Sequence, residues 1–133
     1  MTRATAIRLG AGVTFAVALA VWTWKLLEPN PVPAPIRDLL GFWDWLPFLA
    51  AKALHVSGYA FLTITGQLAV VRRHRLTVAA LLIAHGVATE IGQTYVPNRH
   101  GCIRDVLIDA AGVAAGTLLL LRVTRDESAA EPR

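Results

Sequence analysis

The sequence predicts an all-α integral membrane protein: four transmembrane helices in an up-and-down antiparallel bundle, with an interfacial segment in the first outer loop. Three observations predict it. Of 133 residues, 55% are hydrophobic and 17% charged, and the mean hydropathy is +0.51. A soluble domain of this size keeps a larger polar surface, because it buries only a modest fraction of its area. The apolar residues fall into four stretches of roughly 18–21 residues, near the ~20 that cross ~30 Å of hydrocarbon at ~1.5 Å per residue. Finally, Lys and Arg gather in short flanks between these stretches. Helices are the architecture because open sheet edges cannot face lipid.

The first span runs from about Ile7 to Leu27, with Arg3 and Arg8 at its start. Ala18-Leu19-Ala20 has the small-x-small form of a signal-peptide cleavage site, so removal of residues 1–20 is the alternative. The apolar run continues through Val21 to Leu27, which favours a retained span. The first connection is long. Glu28 to Pro35 has Pro at every second position from Pro29 and reads as extended and polyproline-like. Ile36 to Phe48 mixes Leu39, Leu40, Phe42, Trp43, Trp45 and Leu46 with Arg37, Asp38 and Asp44, which suits a short helix lying in the interface.

The second span runs from about Ala51 to Val71, and the third from about Leu76 to Gln93. Between them lies the basic turn Arg72-Arg73-His74-Arg75. Pro97-Asn98-Arg99-His100-Gly101 makes the third connection, with Pro and Gly expected to supply its turn. The fourth span runs from about Ile103 to Leu121 and completes a single transmembrane domain over residues 1–123. Residues 124–133 are polar and read as a disordered cytoplasmic tail.

Orientation follows from the cationic flanks. Arg3, Arg8, the 72–75 turn, Arg122 and Arg125 mark one side as cytoplasmic, with both termini inside. Trp22, Trp24, Trp43, Trp45 and Tyr95 fall at the opposite side, as an aromatic belt would. The net charge of +4 is no nucleic-acid signal, since no basic patch is interleaved with aromatics; the expected partner is the lipid bilayer. Cys102 is the single cysteine, which excludes an internal disulfide and a Cys-based metal site.

The ionisable residues inside the spans are the candidate site. Lys52, His55 and Tyr59 share one face of the second helix at i, i+3, i+7. Glu90 and Gln93 lie on one face near the end of the third, together with Gly86. Asp105, Asp109, Gly112 and Gly116 line one face of the fourth, and Gly112-x-x-x-Gly116 is a spacing that lets another helix approach closely. In up-and-down order all of these carboxylates and bases reach the same, outer side. A charge at a helix centre costs about 2.5–3.5 kcal/mol on insertion scales, so the three stripes turn toward each other. Arg99, in the connection beside them, is placed to meet Glu90 or Asp105, or an anionic ligand. The expectation is an outward-facing polar pocket of Lys52, His55, Tyr59, Glu90, Gln93, Arg99, Asp105 and Asp109, with Gly112 and Gly116 as packing positions.

The ordered set Lys52-x-x-His55-x-x-x-Tyr59, Glu90-x-x-Gln93, Arg99 and Asp105-x-x-x-Asp109-x-x-Gly112-x-x-x-Gly116 resembles the VanZ-like family over about residues 51–121. Two positions depart from the usual family pattern. Ala51 stands where an acid usually precedes the lysine, and Asp109 stands where Asn usually follows the aspartate by four residues. The resemblance implies a multi-pass protein of a bacterial plasma membrane, in a family named after a protein associated with resistance to the glycopeptide teicoplanin.

Three functions are compatible with the residues. The leading one is interaction of the pocket with a cell-envelope component, an envelope lipid or peptidoglycan precursor, with glycopeptide sensitivity as its expected readout. An enzyme acting on a lipid-linked or peptidoglycan precursor is the second, with His55 and Glu90 or Asp105 as the acid–base pair. A structural or partner-binding subunit without a ligand is the third. Whether a reaction occurs is open, and so is oligomeric state. No cofactor and no metal are expected, because paired-His spacing is absent and Lys52 and Arg99 would repel a cation. His85, mid-span, is expected to be a hydrogen-bonded interior residue, and His74 to be solvated in the basic turn.

Overall fold

The computed structural model describes residues 1–29, 38–39 and 45–130, with 125–130 described by backbone alone. The described chain is helical throughout its long segments: α1 (Arg3–Leu27), α2 (Leu46–Ala69), α3 (Arg75–Gln93) and α4 (Ile103–Ala130), with a 3-10 turn over Arg72–His74. Four helical stretches, Arg3–Leu27, Leu46–Ala69, Arg72–Gln93 and Ile103–Thr124, are long and apolar enough to cross a membrane.

Local chemistry explains most of the boundaries. Thr2 caps α1, its Oγ1 accepting from the Thr5 amide at 3.2 Å. At the other end of α1, Lys25 and Glu28 form an ion pair at 2.7 Å. Helix α2 begins at Leu46, five residues before the expected Ala51, because Pro47 fits the first turn of a helix, where no amide is needed. The Arg72–His74 turn closes α2 against α3 within a few residues. Helix α4 starts at Ile103 as expected, with Asp105 in its first turn facing the favourable end of the helix dipole. It continues to Ala130, although the sequence reading ended it near Leu121 and expected disorder from residue 124. From Arg122 to Ala130 the chain has no Gly or Pro, and Pro132 is the first helix breaker, so nothing local stops the helix earlier.

The polyproline-like stretch over residues 30–35 and most of the interfacial helix, residues 36–37 and 40–44, lie outside the described residues. Asp38 and Leu39 are helical, and Leu46 to Phe48 belong to α2.

Contacts at both ends trace an up-and-down path. Gly12 of α1 approaches Ala69 at the end of α2, where Gln67 also reaches the start of α3 and the Thr117 region of α4. At the opposite end, Lys52 reaches Asp105, and Arg99 reaches Leu26 at the end of α1. Helices α2 and α4 therefore run parallel, and theirs is the most extensive contact in the bundle. α2 touches all three other helices and is the central one. Leu26, Tyr59, Leu62, Leu82 and Val113 form the buried core, with Phe15, Leu19, Trp22 and Val78 packed against it.

The α2–α4 seam depends on two missing side chains. A Cβ at Gly112 would lie 2.5 Å from the Val56 carbonyl oxygen, and one at Gly116 would lie 2.6 Å from that of Ala60. These are backbone atoms that cannot rotate away, so the sequence-stripe role expected for both glycines is the role they have. Gly112→Ala and Gly116→Ala are each expected to cost about 1–3 kcal/mol by overpacking. Gly10→Ala, whose methyl would meet nothing within 4 Å, is expected to leave stability unchanged or slightly raised. Thermal unfolding of the three variants in detergent or nanodiscs checks this.

Candidate functional site

Helical periodicity first decides which side chains can meet. Lys52 and His55 lie one turn apart on α2, and Asp105 and Asp109 one turn apart on the parallel α4, so the two pairs stack as rungs. Lys52 Nζ lies 2.5 Å from Asp105 Oδ1, with side chains 21% and 13% exposed. His55 Nδ1 lies 2.8 Å from Asp109 Oδ1 in a more deeply buried rung. The first rung carries formal opposite charges near the end of the bundle; the second holds a carboxylate against an imidazole where solvent is excluded. Nδ1–H donates to Asp109, which leaves the Nε2 lone pair of a neutral His55 ring available.

One turn further in, Tyr59 is fully buried and begins a second network. Its hydroxyl lies 3.0 Å from His85 Nδ1, and His85 Nε2 lies 2.9 Å from Thr23 Oγ1. Thr23 donates its own proton to the Leu19 carbonyl at 2.7 Å. Its oxygen must then accept from His85 Nε2–H, so in the neutral ring Nδ1 accepts from the Tyr59 hydroxyl. Proton direction therefore runs from Tyr59 through His85 to Thr23 and Leu19, which ties α2, α3 and α1 together. His85 is the hydrogen-bonded interior residue the sequence suggested.

Glu90 enters from α3. It is 4% exposed, and its Oε2 accepts from the Cys102 amide at 2.7 Å, just before α4 begins. That position also lies at the favourable N-terminal end of the α4 dipole. The turn before it uses Asn98 at φ 63°, a left-handed conformation Asn tolerates. Of the two residues expected to supply this turn, Pro97 lies in it and Gly101 does not; Gly101 leaves room for the Glu90 carbonyl oxygen, 2.1 Å from where a Cβ would sit.

Ligand atoms of His55, Glu90 and Asp109 all lie within 4.8 Å of one another, and all three residues are buried. Two carboxylates at that separation repel by about 3.5 kcal/mol at an effective dielectric of 20. Glu90 Oε1 and Asp109 Oδ2 have no hydrogen-bond partner among the described residues, nor does the Nε2 of the buried Gln93. Beside them a groove of about 230 Å³ opens between α3 and α4, walled by Val87, Ile91, Ile103 and Val106, with Glu90 and Cys102 in its lining. The arrangement can accept hydrogen bonds, hold a cation, or exchange a proton at His55.

Six of the eight predicted pocket residues converge here or on the network one turn deeper; Gln93 is buried on α3 with no hydrogen-bond partner for its Nε2 among the described residues, and Arg99 does not join them. Its guanidinium donates to the Leu26 carbonyl at 3.1 Å and so closes the end of α1, because the 94–102 connection carries it across toward that helix. The pocket is also more enclosed than expected, since His55, Tyr59, Glu90, Gln93 and Asp109 are all buried.

Trp22 departs from the expected aromatic belt. Trp24, Trp45 and Tyr95 are exposed, but Trp22 turns inward and meets the rings of His55 and Tyr59 edge-on at 6.0 and 6.3 Å. Trp43 lies outside the described residues. Sequence reasoning also missed Thr23, whose only signal was a hydroxyl inside an apolar run, and the Cys102 amide, which leaves no side-chain signal. Comparison with protein-family models, curated proteins and solved structures finds no match.

Two expectations follow for stability. A double-mutant cycle of Lys52→Met and Asp105→Asn should return a coupling of about 0.5–3 kcal/mol, as for contacting residues of one ion pair. Tyr59→Phe should cost about 1–3 kcal/mol, because it leaves His85 Nδ1 without a donor. Chemical or thermal unfolding in a fixed detergent measures both.

Proposed function

We propose that this chain is a VanZ-like multi-pass protein of a bacterial plasma membrane, with both termini cytoplasmic, whose polar cluster engages a cell-envelope component from the outer leaflet. The observation that carries the reading is the apolar groove between α3 and α4, whose lining includes Glu90, a residue with a buried carboxylate. An acyl or isoprenoid chain fits walls of Val87, Ile91, Ile103 and Val106. A hydroxyl, amide or amine on the attached headgroup satisfies Glu90 Oε1, which has no partner of its own. A lipid-linked peptidoglycan precursor combines those two chemistries, and a lipidated glycopeptide acts on that same material, which is the link to teicoplanin.

The His55–Asp109 hydrogen bond favours a second reading, an enzyme acting on such a precursor. A carboxylate that holds Nδ1–H orients the imidazole and leaves Nε2 to take or give a proton. Turnover distinguishes the readings: purified protein with envelope lipids yields a product that His55→Ala abolishes, or it binds without product.

The resistance reading is tested in cells. Wild type, Glu90→Gln and a null are compared for teicoplanin sensitivity at matched expression. Glu90→Gln should move sensitivity most of the way to the null, while the exposed Ser57→Ala should not. A wild type indistinguishable from the null ends this reading.

A further inference from the structure

The cluster at the junction of α2, α3 and α4 has the composition of a cation site. We infer that His55, Glu90 and Asp109 together bind one divalent transition-metal ion, of the zinc or manganese class. Three features carry this. The three residues come from three different helices, yet their ligand atoms lie within 4.8 Å of one another. Ligands on one zinc ion at ~2.1 Å are at most ~4.2 Å apart, so small side-chain rotations close the site, with metal ligation replacing the His55 Nδ1–H to Asp109 hydrogen bond. Glu90 Oε1 and Asp109 Oδ2 are buried acceptors with no partner among the described residues, on side chains 4% and 1% exposed.

Charge balance points the same way. Lys52, the nearest ammonium, is committed to Asp105 at 2.5 Å. Arg99 is turned to the Leu26 carbonyl. The charge of Lys52 is thus matched by Asp105, and Arg99 is held at the end of α1. Glu90 and Asp109 have His55 as the one basic side chain beside them, and a divalent ion with a neutral imidazole neutralises both. One imidazole with two carboxylates selects zinc, manganese or iron over calcium and magnesium. Three protein ligands leave positions open for water or for an oxygen of a molecule in the groove beside Glu90. The inference does not depend on the envelope-ligand reading, because the metal alone is the probe.

Full-length protein in nanodiscs, stripped with chelator, is titrated with Zn²⁺ and with Mn²⁺ by calorimetry, and bound metal is counted by mass spectrometry. One equivalent per chain is expected, with affinity reduced at least ~10-fold in Glu90→Gln and in Asp109→Asn, more than outer-shell changes commonly cost. Cys102→Ser and His74→Gln, which remove bystander ligands, should bind as wild type. Co²⁺ on the wild-type protein supplies a readout that needs no variant: visible bands of a four- or five-coordinate ion are expected. Absence of bound metal, binding unchanged by both carboxylate variants, or the spectrum of the hydrated Co²⁺ ion would each overturn the site.

Discussion

The parallel contact of α2 with α4 is the constraint on which the rest of the bundle depends. Gly112 and Gly116 bring the α4 backbone against the Val56 and Ala60 carbonyls, a separation at which side chains on the next turns must face each other. Lys52 then has Asp105 opposite it and His55 has Asp109. Small residues at a helix seam gain dispersion contacts in any solvent. Here the seam also fixes register: a slip of one residue would rotate the basic stripe of α2 away from the acidic stripe of α4. The glycines and the ion pairs thus specify one arrangement by different means.

Polarity is handled differently elsewhere in the bundle. Thr63, Thr65, Thr89 and Thr117 each return their hydroxyl to a carbonyl three or four residues earlier on their own helix. This satisfies the group without a partner from another element, which is how a hydroxyl is accommodated among apolar neighbours. The Tyr59–His85–Thr23 chain instead spends its hydrogen bonds between helices, adding to the packing of Phe15, Leu19, Trp22 and Leu26 that attaches α1. That helix needs such an attachment. No residue in its most apolar window is buried, and its apolar side chains such as Val13, Val17 and Val21 stay largely exposed.

Much of this was legible in the sequence, and the failures have physical causes. Four apolar runs and their approximate limits follow from length and hydropathy alone. The faces carrying Lys52, His55 and Tyr59, and Asp105 and Asp109, follow from helical periodicity, and so does the use of Gly112 and Gly116. Partner choice does not follow, because it depends on rotation and offset between helices. Proximity along the chain points Arg99 to Glu90, Asp105 or an anionic ligand, whereas the connection carries it to the Leu26 carbonyl of α1. Trp22 reads as a belt residue like Trp24 because only about half a turn of α1 separates the inward from the outward ring, and no periodic pattern in α1 marks the difference. Helix α4 overran its hydropathy limit because hydropathy reports on lipid preference, while helix continuation depends on breakers. Gln67 was within reach: an amide inside an apolar run needs partners, and it finds the Arg75 carbonyl and Thr117.

The contrast between the two ends of the bundle bears on whether the cluster is only structural. At the Gln67 end, the amide donates to a carbonyl and a hydroxyl, and the bonds join α2, α3 and α4. That is sufficient for register, and there the described residue with an unmet buried atom is Arg75, through its Nε beside the basic turn. At the other end, register is already set by the Lys52–Asp105 rung and the two glycines. Adding Glu90 to Asp109 there brings repulsion and leaves two buried carboxylate oxygens open, together with Gln93 Nε2. A buried acceptor without a donor costs stability, whereas replacing it with an apolar group of similar shape is nearly neutral. The one hydrogen bond Glu90 makes, accepted from the Cys102 amide, would be kept by Gln at position 90. The two open carboxylate oxygens are the atoms the proposed metal site would use, and the apolar groove lined in part by Glu90 lies beside them.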